Sequence, residues 1–158
     1  MLKRRHVVRL ATVLLGFAVI AAPGRAQGPS QVDRLAIGGY DPVAYFTEGR
    51  PVLGKPEFRS IWDGVRYHFA SGHHRALFEA SPDSFTPQFA GSCAMAMSKG
   101  MKFEANPENW LISNGRLFVF YSSDGPARFK ANPQATAAEA DKNWEVLKDA
   151  PFGTSVTR

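Results

Sequence analysis

Apolar and polar side chains alternate along residues 57–69, and a two-residue turn signal interrupts the alternation. Asp63-Gly64 favours a tight turn whose twist matches that of two antiparallel strands. Side chains alternate between the two faces of a strand, so this turn predicts a hairpin with one apolar face. The predicted facing pairs are Trp62 with Val65, Ser60 with Tyr67, and Phe58 with Phe69. The opposite face carries Arg59, Ile61, Arg66 and His68.

A second hairpin is predicted over residues 110–121. Its turn is Asn114-Gly115, two residues that tolerate the positive backbone angles of a tight hairpin turn. The strands are apolar on both faces near the middle, with Leu111 and Phe118 on one face and Ile112, Leu117 and Val119 on the other. We therefore expect this hairpin to be central in the sheet and covered on both sides.

Small polar residues and prolines mark the starts of the predicted helices. Asp41 before a proline predicts a short helix over residues 42–48, and Ser71 can cap a helix over 72–80. Pro133 opens an alanine-rich helix to about residue 148, and its apolar stripe makes Trp144 the expected anchor in the core. The predicted fold class is α+β: an antiparallel sheet built from two hairpins, with short helices packed on it.

The first 26 residues have the layout of a secretory signal peptide. A basic segment over residues 1–9 precedes an uncharged, mostly apolar run over 10–24, and Gly24 and Ala26 suit a cleavage site after residue 26. Arg4-Arg5 is also compatible with a twin-arginine leader, and an uncleaved membrane anchor is the alternative. We expect an exported, periplasmic or secreted protein with no membrane span once the leader is cleaved.

After the leader come a flexible lead-in over residues 27–35, one domain over 36–150 and a tail over 151–158 without a periodic pattern. The leader carries five of the 19 basic residues and none of the 14 acidic ones, which leaves 14 basic against 14 acidic residues. The net charge of +5 therefore gives no support for a nucleic-acid partner. The single cysteine cannot form an internal disulfide, so it is a free thiol, a ligand or half of an intermolecular bridge.

That cysteine, Cys93, lies in a segment rich in small residues and methionine. On a strand, Cys93, Met95 and Met97 would share one face and offer the soft sulfur ligands that suit Cu(I). The helix interpretation is better supported, because alanine and methionine are good helix formers and Gly100 suits a helix end. Cys93 is then expected in the first turn, with Ser92 as a possible cap. Burial in the core is the competing interpretation for all three sulfur residues.

The histidines outside the leader are His68, on the polar face of the first hairpin, and the adjacent His73 and His74. Taken singly, each is best explained as a solvated histidine. Together, Cys93, His68 and His73 would offer one thiolate and two imidazoles, ligand types that bind transition metals. These three are the candidate metal ligands. No sequence motif for a structural zinc site, a nucleophile elbow, a phosphate loop or a dinucleotide site is present. No catalytic or cofactor-binding residue is therefore assigned, and Asp41 is expected to have a structural role.

The motifs together resemble the YHS domain family in its small exported single-domain form. The matching stretches run from Gly39 to Trp144: GYDPVAYF (39–46), Tyr67-His68 with Ser71, residues 78–82, PQFAGSCAMAMSKG (87–100), the hairpin at Trp110, and DKNW (141–144). The family occurs beside metal-handling proteins, including copper-transporting ATPases, so the resemblance implies a metal-related role. Cys93 and His68 match family positions. Relatives usually have a glycine pair and an aromatic where Ala90-Gly91-Ser92 stands, and an aromatic and an aliphatic residue in place of Met95 and Met97, which favours packing for these methionines.

The sequence thus predicts an exported, non-catalytic binding module with a possible copper or other transition-metal site at Cys93, copper before zinc. One alternative is a thiol-dependent redox protein or enzyme that uses Cys93. Another is a purely structural domain whose partner is a protein. The sequence does not predict an oligomeric state.

Overall fold

A computed structural model describes residues 34–156. The predicted signal peptide over residues 1–26 and most of the lead-in lie outside the described residues. The helices are α1 (Ala44–Thr47), α2 (Gly72–Ala80), α3 (Pro82–Phe85), α4 (Ala94–Ser98), α5 (Gly125–Ala131) and α6 (Pro133–Leu147), with 3-10 turns at Ala36–Gly39 and Gln88–Gly91. The strands are β1 (Lys55–Trp62), β2 (Val65–Phe69), β3 (Asn106–Ser113) and β4 (Arg116–Phe120). None of the helices within residues 34–156 is long and apolar enough to cross a membrane.

The predicted α+β class is confirmed: two antiparallel hairpins are combined with short helices. Each hairpin is a two-stranded sheet of its own, with β1 paired to β2 and β3 paired to β4. The two hairpins therefore meet through packed side chains, and the second is not the centre of a larger hydrogen-bonded sheet.

The register of the first hairpin follows the prediction near the turn and departs from it further away. Trp62 faces Val65 and Ser60 faces Tyr67, as Asp63-Gly64 predicts. The predicted pairing of Phe58 with Phe69 is wrong, because an irregularity between Lys55 and Arg59 places Lys55 opposite Phe69. Pro56 lies within this irregularity, and a proline has no N–H to donate to a strand ladder.

Strand β4 divides the interior into two hydrophobic clusters. Leu117 and Val119 pack in one cluster with β2 and the segment around Tyr45. Phe118 and Phe120 pack in the other, which includes Cys93, Met97 and parts of α5 and α6. These four side chains of β4 are all buried, so the prediction that this hairpin is covered on both sides is confirmed for its second strand.

Helix α6 holds the short helix α4 against the second cluster. The buried side chain of Asn143 donates from Nδ2 to the carbonyl oxygens of Met97 (2.9 Å) and Ser98 (3.3 Å), at the last turn of α4. These contacts satisfy helix-end carbonyls that have no partner within the helix. On α6 itself, Ala140 and Leu147 are fully buried, whereas Trp144, the predicted anchor, is half-buried at the edge of the cluster.

Both ends of the described chain are attached to the domain. The carbonyl of Arg34 accepts a hydrogen bond from the backbone of Arg66 at 2.9 Å. The segment predicted as a tail returns to the residues that follow α4: the N–H of Lys102 donates to Thr154 at 2.9 Å, and the N–H of Val156 donates to Gly100 at 2.8 Å. These contacts position Met101 and Lys102, which line the two cavities described below.

Candidate functional site: a sulfur-lined cleft

Cys93 lies just before α4 in extended backbone (φ −60°, ψ 115°), one residue earlier than the predicted first turn. Its N–H donates to the carbonyl of Phe103, and its own carbonyl accepts from the N–H of Met97, each at 2.9 Å. It also forms a single parallel bridge with Val119 of β4. The residue is therefore fixed between the helix and the second hairpin, and it is only 4% exposed.

Ser92 is not the cap that the sequence predicts. No side chain caps α4, and the Ser92 hydroxyl oxygen is buried with no hydrogen-bond partner among the described residues. Helix α4 is five residues long, and Gly100 follows it with the positive φ of 74° that favours glycine. The backbone reverses there, and the N–H of Met101 donates back to the carbonyl of Ala96 at 3.0 Å.

This reversal brings Met101 into the wall of a cleft that Cys93 and Met95 also line. The cleft has a volume of about 420 Å³, and its remaining walls include Phe103, Tyr121 and Arg128. Met97 does not line it: this side chain is fully buried among the aromatic residues of the second cluster. The helix separates Met95 from Met97, but helical spacing predicts Met97, four residues on, as the neighbour of Cys93, whereas the cleft is lined by Cys93, Met95 and a third sulfur-bearing residue, Met101.

The two histidines predicted as ligands occupy other parts of the fold. His68 lies on β2 opposite Arg59, and Gly39 and Gly54 approach it closely. Burial lowers the pKa of His68, and the positive charges of Arg66 and Arg59 lower it further. His73 is exposed in the first turn of α2.

Within the described part of the chain, no group of three or more His, Cys, Asp or Glu side chains is arranged to hold a metal ion. The ligand set of Cys93, His68 and His73 therefore stays a prediction from sequence. Methionine thioethers are a different class of ligand, and the cleft brings two of them to the same cavity as the cysteine.

The sequence interpretation missed a pair formed by Asp41 and His74. The fully buried Asp41 carboxylate accepts from the Val43 N–H (2.9 Å), from the Ala70 N–H (2.8 Å) and from His74 Nδ1 (2.6 Å). The backbone N–H of His74 in turn donates to the capping hydroxyl of Ser71 at 3.1 Å, as predicted for that cap. No sequence spacing reveals the pair, because its two members are 33 positions apart.

Thr47 extends this pair into a row that resembles a catalytic triad in outline. Its Oγ1 lies 3.5 Å from His74 Nε2, but the hydroxyl donates to the carbonyl of Val43 at 3.1 Å. A nucleophile is expected to direct its hydroxyl hydrogen to the base instead. The arrangement is best explained as a polar connection between α1, the end of β2 and α2.

Comparison with known proteins adds no relative: no protein-family model, no curated protein and no solved structure matches the chain.

Proposed function

We propose that the protein is an exported, non-catalytic binding module that takes a soft metal ion, Cu(I), at the cleft lined by Cys93, Met95 and Met101. The observation that carries the proposal is that one cysteine and two methionines line the same cavity. Thiolate and thioether sulfurs are the ligands that select Cu(I), whereas zinc sites are built from Cys, His and carboxylate groups. The proposal also includes two expectations from the sequence: the resemblance to the YHS family, and export directed by residues 1–26.

The surroundings of the cleft support a binding role for Cys93. The thiol is nearly buried, and its backbone is held from both sides by hydrogen bonds, so little conformational freedom is lost when a ligand orders it. Phe103 and Tyr121 at the cleft are 42% and 73% exposed. Exposed aromatic residues beside a ligand cavity are a common feature of surfaces that contact a partner. A partner protein could therefore deliver or collect the ion at this face.

An anaerobic titration of the folded protein with Cu(I), against a chromophoric competitor, tests the proposal. We expect one ion per chain and a loss of binding in Cys93→Ser, with weaker binding in Met95→Leu and Met101→Leu. Binding releases the thiol proton, so the affinity should rise with pH.

Met97→Leu is the matched control, because Met97 is in the same segment but packs in the core. It should bind Cu(I) as the wild-type protein does, and circular dichroism of each variant checks folding. Two results would end the proposal: no stoichiometric binding to the wild-type protein, or equal binding by Cys93→Ser. Binding that is weakened as much by Met97→Leu as by Met95→Leu would count against the assigned ligand set.

A further inference from the structure

A second cavity, of about 540 Å³, lies away from the sulfur residues, beside the chain segment that follows α6. Its walls combine three cationic side chains, two aspartates and two aromatic rings with smaller apolar residues, and it shares no lining residue with the sulfur-lined cleft, so it is independent of the metal proposal. The residues that carry the inference are Arg34, Lys102, Trp144 and Phe152.

Arg34 brings a guanidinium group to the wall of this cavity. Its Nη2 donates to the carbonyl of Ala90 at 2.6 Å, while its Nε is buried without a hydrogen-bond partner among the described residues. Its Cζ lies 4.7 Å from the centre of the Phe152 ring. This Nε is closed off from solvent, so what Arg34 offers a ligand in the cavity is the positive charge and the Nη donors of its guanidinium group.

Lys102 supplies a second cation, and its side chain is almost completely buried at 6% exposure. Its Nζ donates to the carbonyls of Lys148 and Ala150, both at 2.7 Å, which leaves one of its three N–H groups uncommitted. The ammonium also lies 5.2 Å from the centre of the Trp144 ring and 5.5 Å from that of Phe152.

Within residues 34–156, neither Arg34 nor Lys102 forms an ion pair with a carboxylate, although Asp63 and Asp149 also line the cavity. Burial lowers the pKa of Lys102 and the positive charge of Arg34 lowers it further, whereas the negative charge of Asp149 opposes this shift, so the two cations repel each other and are only partly balanced. A bound anion would relieve this repulsion.

We propose that this cavity binds a small organic monocarboxylate with a flat apolar body. The guanidinium fork matches the two oxygens of a carboxylate, and Lys102 offers a further donor. The rings of Trp144 and Phe152, together with Val65 and Ala150, provide an apolar surface for the rest of the ligand. The wall carries three cations (Arg34, Lys102 and Lys148) against two aspartates, a balance that suits a monoanion better than a dianion and so favours a carboxylate over a phosphate.

Benzoate is the probe, with neutral benzamide and inorganic phosphate titrated in parallel, and the readout is the NMR signal of the Trp144 indole N–H. Trp144→Phe assigns that signal by removing it. We expect a saturable shift with benzoate in roughly the millimolar range, as suits a ligand of this size. Benzamide should bind at least about tenfold more weakly, because it cannot make the charge-assisted hydrogen bonds.

Arg34→Gln should weaken benzoate binding by about tenfold or more, whereas Arg50→Gln should leave it unchanged, because Arg50 pairs with Glu48 on the exposed loop after α1. Lys102→Met should act in the same direction. Arg34→Gln carries the test, since the Lys102 side chain also holds two backbone carbonyls and its loss can affect folding. The proposal is refuted by the lack of a saturable shift, by equal binding of benzamide, by tighter binding of phosphate, or by unchanged binding in Arg34→Gln.

Discussion

Asp41 is the residue whose replacement should reveal most about what holds this fold together. Its carboxylate has no solvent exposure and accepts three hydrogen bonds that connect the start of α1, the end of β2 and the first turn of α2. In Asp41→Asn the side chain keeps almost the same shape. The variant therefore changes hydrogen bonding and charge with little change in packing.

The asparagine amide can satisfy fewer of these partners. If its oxygen continues to accept from the Val43 N–H, its NH₂ group replaces the oxygen that now accepts from both the Ala70 N–H and His74 Nδ1. The neutral imidazole can change tautomer and accept from the amide, but the Ala70 N–H stays without a partner. An unsatisfied buried donor costs about 1–3 kcal/mol, and a hydrogen bond to a charged group contributes about 1.5–3 kcal/mol. We therefore expect the free energy of unfolding to fall by about 2–5 kcal/mol.

Urea denaturation at pH 7 measures this loss, followed by circular dichroism and by tryptophan fluorescence. The midpoint should fall by about 1 M or more at an unchanged slope. Asp83→Asn, at an exposed position in the first turn of α3, is the control and should barely move the midpoint. A double-mutant cycle with His74→Ala should give a coupling of at least about 0.5 kcal/mol. A wild-type midpoint for Asp41→Asn, or additive effects in the cycle, would refute the assigned role.

Two further predictions concern the first hairpin. Gly54→Ala should destabilise the protein by about 1–3 kcal/mol in urea denaturation, because an added Cβ would lie 2.5 Å from the backbone carbonyl carbon of His68. Gly72→Ala is the control, because Gly72 has no positive φ and an added Cβ would lie at an ordinary contact distance of 3.6 Å from the Phe58 ring; a loss for Gly54→Ala no larger than that for Gly72→Ala would contradict the steric explanation. Burial raises the pKa of Tyr67 to about 12. Above pH 10 the unfolded chain loses this proton while the folded protein retains it, so stability should fall by about 1 kcal/mol between pH 9 and 11. The fall should be shallower in Tyr67→Phe, and an identical pH dependence in both proteins would rule this origin out.

The parts of the fold that the sequence predicts are those determined by neighbouring residues. Asp63-Gly64 and Asn114-Gly115 place the two turns, because few residues tolerate the backbone angles required there, and the positive φ values of Asp63 and Asn114 agree with this. Ser71 caps α2 as predicted, since its partner is only three residues away. The register of the first hairpin is correct for two pairs and fails where Pro56 interrupts the ladder.

The candidate site could be predicted only in part, because its residues meet through the tertiary fold. Cys93 was identified because it is the single thiol, whereas Met95 was assigned to packing. Met101 joins them only because the backbone reverses at Gly100, and no periodic pattern reports that reversal. The solvated interpretation of His74 is wrong for a similar reason: the acceptor that holds its ring comes from a residue 33 positions earlier.

The two cavities share one short segment of backbone. Met101 lines the sulfur cleft and the next residue, Lys102, lines the cationic cavity, as expected where successive side chains of an extended chain point in opposite directions. Hydrogen bonds to Thr154 and Val156 hold this segment against the C-terminal residues. A substitution at Lys102 can therefore disturb the position of Met101, whereas Arg34 and Cys93 each belong to one cavity alone. It follows that Arg34→Gln should leave Cu(I) binding unchanged and Cys93→Ser should leave benzoate binding unchanged, if the two sites are independent as proposed.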